Sequence, residues 1–159
     1  IYELVDSQSG KQVFSNDFRL LKDRNTLVLA PITENNSTEV YYIEENQNEV
    51  SFPIKLTISN QNFISNTDNS IIFVDADKLK FPLQLKRFER GAIFQPFGMN
   101  GKSKKVSKLF KDEKLSLLQK ENTWILYSNE DIVWVIGIRQ DERFKINIDT
   151  KNSLQIALK

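Results

Sequence analysis

Apolar and polar positions alternate along this chain in short runs, most too brief for helices. "KQVFS" and "FRLLK" are separated by Asn16-Asp17, and "TLVLAPI" at 26–32 is entered from the turn-prone "KDRN". "TEVYYIE" at 38–44 and "VSFPIKLTIS" at 50–59 are rich in β-branched and aromatic residues, which favours strands. Pro53 cannot donate to a ladder and places its neighbourhood at a sheet edge or bulge. "EENQNE" and the Asn-rich "NQNFISNTDNS" read as polar loops. "IIFVDAD" at 71–77 and "FPLQLKRF" at 81–88 predict two more strands.

Further on, "TWILYS" (123–128), "DIVWVIGIR" (131–139) and "RFKINID" (143–149) predict a three-stranded meander with tight turns at "NED" and "QDE". Strict alternation puts Ile132, Trp134 and Ile136 on one face and Val133, Val135 and Gly137 on the other. Both faces are apolar, so this strand belongs inside a sheet covered on both sides. "LQIAL" is a final candidate strand. One stretch breaks the β pattern. From Ser103, Val106, Leu109 and Phe110 span about 100° of a helix, and Lys104, Lys108 and Lys111 fall within about 60° on the opposite side. That predicts a short amphipathic helix near 103–113, N-capped by Ser103. The fold class is therefore α+β and mostly β.

The 159 residues suit one compact domain in two parts, 1–75 and 76–159. The first residue is Ile, as expected of an excised piece of a larger protein. No apolar run reaches ~18 residues, and the start lacks the pattern of a signal peptide. There is no cysteine and no histidine, which removes thiolate chemistry, the commonest metal ligands and the usual catalytic triad. No catalytic and no metal-ligating residue is assigned.

Net charge is only +1 but unevenly placed: residues 1–81 hold 7 basic and 12 acidic residues, and 82–159 hold 15 and 9. Between 86 and 111, eight basic residues face Glu89 alone. Such a local excess steers polyanions. Gly101-Lys102-Ser103 looks like the end of a P-loop, and "IIFVD" like the strand that would hold Mg²⁺. A P-loop, however, needs a glycine where Pro96 stands, and Pro96 has no N–H to give a phosphate. The glycines instead mark a turn into the helix. Lys102, Lys104 and Lys105 crowd a helix N-terminus, where cations are unfavourable unless an anion binds. Nucleic-acid backbone, a solvated face, and a protein or membrane surface all remain open on these grounds.

The stretch "KLKFPLQLKRFERGAIFQPFGMNGKSKKVSKLFKDEKL", with "DIVWVIGIRQDERFKI", resembles the C-terminal domain of the tRNA(Ile)-lysidine synthase family. Arg87, Gly91, Phe94, Pro96, Gly98, Met99, Gly101, Lys104 and Lys105 carry the first motif, and Asp112 and Lys114 follow. Ile132, Val133, Trp134, Gly137, Arg139, Asp141 and Arg143 carry the second. The likeness departs at Gly91-Ala92-Ile93, where the family has Gly-Asp-Arg, and at Lys114-Leu115-Ser116, where it has Lys-Val-Pro.

The resemblance implies a β-sandwich shared with a domain of phenylalanyl-tRNA synthetase. It implies a cytoplasmic ligase that joins lysine to the wobble cytidine of tRNA(Ile) with a CAU anticodon, using ATP. The ATP and Mg²⁺ sites would lie in a separate N-terminal catalytic domain, a partner of this region. This part would hold the tRNA acceptor stem and have no cofactor of its own. Its phosphate partners would be Lys102, Lys104, Lys105 and Lys108, then Lys111, Arg87, Arg90, Arg139 and Arg143, with backbone contacts at Gly98, Gly101 and Ser103. Arg139 and Arg143 have a structural alternative, pairing with Asp141 or Glu142. Phe94 and Phe97 are core or base-stacking residues, with core preferred; Trp124 and Trp134 are core. The competing function is a protein-interaction domain that docks on a catalytic domain or an acidic partner.

Overall fold

A computed structural model describes residues 2–32, 39–60 and 68–159. Ile1, the start of the run at 38–44 and most of the Asn-rich loop at 60–70 lie outside them. The chain opens with helix α1 (Tyr2–Val5) and a hairpin sheet of β1 (Gln12–Phe14), β2 (Phe18–Asp23) and β3 (Thr26–Pro31). Then come β4 (Val40–Ile43), β5 (Glu49–Val50), β6 (Leu56–Asn60), β7 (Ile71–Asp75) and β8 (Leu83–Arg87). A small ladder pairs β9 (Ile93–Phe94) with β10 (Lys104–Lys105), which leads into α2 (Val106–Asp112) and α3 (Leu117–Asn122). The remainder is β11 (Trp124–Ser128), β12 (Asp131–Val135), β13 (Arg139–Gln140) and β14 (Ser153–Leu158).

Two sheets form the body. One has the order β13-β12-β11-β8-β4 and the other β5-β6-β14-β7, and every strand pair is antiparallel. The main core lies between them, with Leu56, Ile72, Val74 and Ile156 from one side meeting Leu83, Leu85, Leu126 and Trp134 from the other. A second core covers the opposite face of the five-stranded sheet: Val106, Leu109 and Phe110 of α2 and Phe94 pack on Ile125, Tyr127, Ile132 and Val135. This is the mostly-β sandwich that the resemblance implies, and α2 is the expected short helix; α1 and α3 were not foreseen. At seven residues α2 is too short to persist alone. Burial of its three apolar side chains, each contributing about 1.5–3 kcal/mol, holds it in place.

The expected faces of β12 need correction. Val135 pairs with Ile125, Trp134 with Leu126, and Ile132 with Tyr127, so Val133 is an extra residue opposite a register shift. This bulge reverses the alternation: Ile132 and Val135 face α2, while Val133 and Trp134 face the other sheet. The strand is nevertheless buried on both faces, as its composition predicts. It stops at Val135, short of the expected 139, because Gly137 turns the chain with φ +74°. Nor is 143–149 a strand. Asp141 caps a 3-10 turn at Glu142–Phe144 by accepting the Arg143 N–H, and irregular backbone follows. Pro53 does interrupt a strand, between the edge strand β5 and β6.

Candidate nucleic-acid interface

The glycine turn is held from below by carboxylates. Asp141 is 0% exposed and accepts the Gln95 N–H at 2.9 Å, the Arg143 N–H at 2.9 Å, and the Arg143 guanidinium through Nε and Nη2 at 3.0 and 2.9 Å. Arg143 also donates to Asp131 at 2.6 Å. These bonds hold its side chain firmly protonated, above an already high ordinary value. Next door, Glu142 accepts the Gly101 N–H at 3.0 Å and pairs with Lys145 at 2.7 Å. Both partners pull its carboxyl below the ordinary value, Lys145 more strongly. The Lys102 N–H goes to the Met99 carbonyl. The Gly101 amide therefore already holds an anion, one supplied by the protein.

The start of α2 also differs from expectation. Its N-cap is Lys105, with no side-chain cap, rather than Ser103. Residues 104 and 105 are extended because they pair with Phe94 and Ile93. The Val106 N–H is taken by the Ala92 carbonyl at 2.9 Å. Lys104 is thus outside the helix, half-buried, and bonded to Asp112 at 2.7 Å. That bond draws the Asp112 carboxyl below its ordinary value.

The basic residues fall into two groups. Lys102, Lys105, Lys108 and Lys111 are exposed and form no ion pair among the described residues. They follow the glycine turn and the outer side of α2, and Ser103 is exposed among them; Gly98 is exposed in the same turn, and Arg90 is exposed beyond β8. The second group is engaged. Arg143 pairs with Asp141, as the structural alternative expected, and with Asp131; Arg139 instead pairs with Glu113 at 3.3 Å, not with Asp141 or Glu142. Arg87 lies 4.0 Å over the Trp124 ring, where burial lowers its pKa. Phe94 is core at 1% exposure, but Phe97 is 49% exposed, against the preferred reading. Trp124 and Trp134 are core. The strand "IIFVD" is structural: Asp75 caps a 3-10 turn through the Asp77 N–H.

The same motifs are found in known proteins. A family model described as "TilS substrate binding domain" matches residues 1–32, and one described as "TilS substrate C-terminal domain" matches 83–156. The tRNA(Ile)-lysidine synthase of Parabacteroides distasonis is 37% identical over 97% of this chain and 36% of its own length. That of Bacteroides thetaiotaomicron is 38% identical over 92% of this chain and 32% of its own. The chain belongs to the tRNA(Ile)-lysidine synthase family. It corresponds to the C-terminal region and spans about a third of the length of these relatives. A solved structure described as a crystal structure of the TILS C-terminal domain superposes with a TM-score of 0.63 at 18% identity, covering 75% of this chain and 95% of that one. It supports the fold.

The family motif can now be read physically. Its Arg-x-Asp-x-Arg element, here Arg139, Asp141 and Arg143, places the carboxylate that fixes the glycine turn. Sequence reasoning missed Asp141 and Glu142 as anchors of that turn. The signal available was a run of alternating charges just after a buried strand. It also missed α3, although Ser116 and Gln119 form a reciprocal capping box that is legible as Ser-x-x-Gln.

Proposed function

We propose that this chain is the tRNA-docking region of a lysidine synthase and holds the acceptor stem of tRNA(Ile) with a CAU anticodon. The observation that carries the reading is the row of exposed lysines, 102, 105, 108 and 111, that form no ion pair among the described residues and lie beside a rigidly anchored turn. The major groove of an A-form stem is closed to side chains, so such lysines would meet phosphates and position the stem rather than read its sequence. Lys104, Arg87, Arg139 and Arg143 would support the surface from within it. In this reading, residues outside this chain bind ATP and Mg²⁺ and join lysine to the cytidine, in the cytoplasm.

The reading also treats residues 1–75 and 76–159 as parts of one compact domain. Strands β4, β6 and β7 pair with β8 and β14, and Arg19 and Arg24 reach Glu121 and the Lys114 carbonyl.

One observation favours a second role in protein docking: Phe14, Phe18 and Leu29 of the β1–β3 sheet are exposed. A titration separates the two. The chain is mixed with tRNA(Ile) (CAU) and with elongator methionine tRNA at two salt concentrations. Four phosphate contacts give a log–log salt slope of about 3, hence a loss of roughly 60-fold between 50 and 200 mM salt. Lys105→Glu with Lys108→Glu lowers that slope by about 1.5 while the domain stays folded. No binding at low salt, or an unaltered slope in the double variant, rejects the lysine face as the docking surface.

A further inference from the structure

A cleft of about 760 Å³ opens beside the glycine turn, outside the row of lysines. Phe97, at the start of that turn, lines it together with apolar residues that include Ile71 and Ile146. Arg139 and Lys145 stand in its lining. Arg139 is already paired with Glu113 and Lys145 with Glu142, and Asp68 also lines the cleft, so these charged groups sum to −1. Lys145 also lies 5.7 Å from the centroid of the Phe97 ring. Two N–H groups there lack an acceptor among the described residues: Nε1 of Trp134, whose side chain is 0% exposed, and Nε of Arg139. Unmet buried donors are costly and mark places that accept a ligand oxygen or ring nitrogen.

The cleft thus offers a half-exposed aromatic ring, apolar walls, no excess of positive charge and two donors without a built-in acceptor. A bare phosphate fits this poorly; a flat ring with acceptor atoms on its edge fits well. We propose that the cleft takes one unpaired base of the bound RNA, stacked on Phe97 with its edge toward Trp134 and Arg139. The proposal rests on the RNA-docking reading, which puts the bound stem on the lysine row beside the glycine turn. Stacking on an aromatic ring tolerates any base, and the edge donors favour bases with an acceptor facing them.

The test uses the chain carrying Trp124→Phe, which leaves Trp134 as the only tryptophan. It is titrated with CMP and AMP, and in parallel with ribose 5-phosphate and inorganic phosphate. The expected result is a saturable change in tryptophan emission with the nucleotides and none with the sugar phosphate or phosphate. Phe97→Ala, at a half-exposed position, weakens that binding about 5- to 150-fold without changing the circular dichroism spectrum. A short RNA duplex with a single-stranded 3′ extension binds more tightly than its blunt form by a similar factor, and Phe97→Ala removes the difference. Absence of saturable nucleotide binding at millimolar concentration, or binding indifferent to Phe97→Ala, overturns the proposal. Either outcome beside intact salt-dependent tRNA binding rejects the cleft alone. Loss of tRNA binding at low salt rejects the docking reading itself.

Discussion

Replacing Asp141 with alanine tests whether one buried carboxylate organises the candidate interface. Asp141 accepts two backbone N–H groups and two guanidinium N–H groups and has no exposure to water. Alanine leaves the Gln95 and Arg143 amides without acceptors, at about 1–3 kcal/mol each where water cannot replace them. Breaking a buried ion pair costs about 3–5 kcal/mol in full. Arg143 is a third exposed and keeps Asp131, so its share falls to about 1 kcal/mol. The expected loss is about 4 kcal/mol. For a chain of this length that lowers Tm by roughly 8–16 °C.

Urea unfolding followed by tryptophan emission measures it, with calorimetry as the check on Tm. A double-mutant cycle with Arg143→Met should return a coupling of about 1 kcal/mol. Because Gln95 and the Pro96 bridge to Asp141 lead directly into the glycine turn, RNA affinity should fall even at temperatures where the variant stays folded. A loss below about 1 kcal/mol, with RNA affinity unchanged, would refute the claim that Asp141 fixes the turn.

Three further outcomes are expected. The Glu142 carboxyl lies below its ordinary value of 4.5, so its contribution to stability is present above that pH and is lost as pH falls through its folded value. Glu142→Gln should flatten the decline in Tm as pH falls below the ordinary value of 4.5; an identical profile argues against the Gly101 and Lys145 contacts. Tyr127 is pushed up to about 12, chiefly by burial. Its phenolate absorbance should therefore appear well after that of exposed tyrosines, and its stabilising effect should fade as pH rises from about 10 toward that value. Gly137→Ala should cost about 1–2 kcal/mol through its positive φ alone, since an added Cβ meets only Leu158, at 3.5 Å. A neutral result in urea unfolding would show that the turn relaxes.

Where local pattern dominated, the sequence was legible. β4 and β11 fall where β-branched and aromatic residues are dense, and the buried side of α2 falls on Val106, Leu109 and Phe110 as the helical period requires. Errors arose where a distant segment decided the outcome. Ser103 is a good cap by type, but β9 pulls residues 104 and 105 into a ladder and moves the helix start two positions on. The bulge at Val133 is invisible in a run where every residue is apolar. The run at 143–149 has strand composition, yet Asp141 bonds it into a turn. At the interface, the sequence marked the basic residues but not their availability. Arg143's neighbour Asp141 was foreseen as its partner, but Lys104 and Arg139 are taken by Asp112 and Glu113 from elsewhere in the chain, whereas Lys105 and Lys108 form no ion pair among the described residues.

Strand β14 lies between β6 and β7 in the four-stranded sheet. β7 ends at Asp75 and its partner begins at Ser153, so the neighbour that β7 requires is made 78 residues later. At about 5–20 residues per second, synthesis leaves β6 and β7 unpaired with β14 for roughly 4–16 s. During that time Leu56, Ile58, Ile72 and Val74 lack the strand that closes their layer. Completion of this sheet thus acts as a checkpoint on the growing chain: the lysine surface is formed from residues made earlier, but the layer that supports it from behind closes only after residues 153–158 emerge. A ribosome that stalls between these points would release a polypeptide with two open strand edges, a target for chaperones and proteases rather than a competitor for RNA.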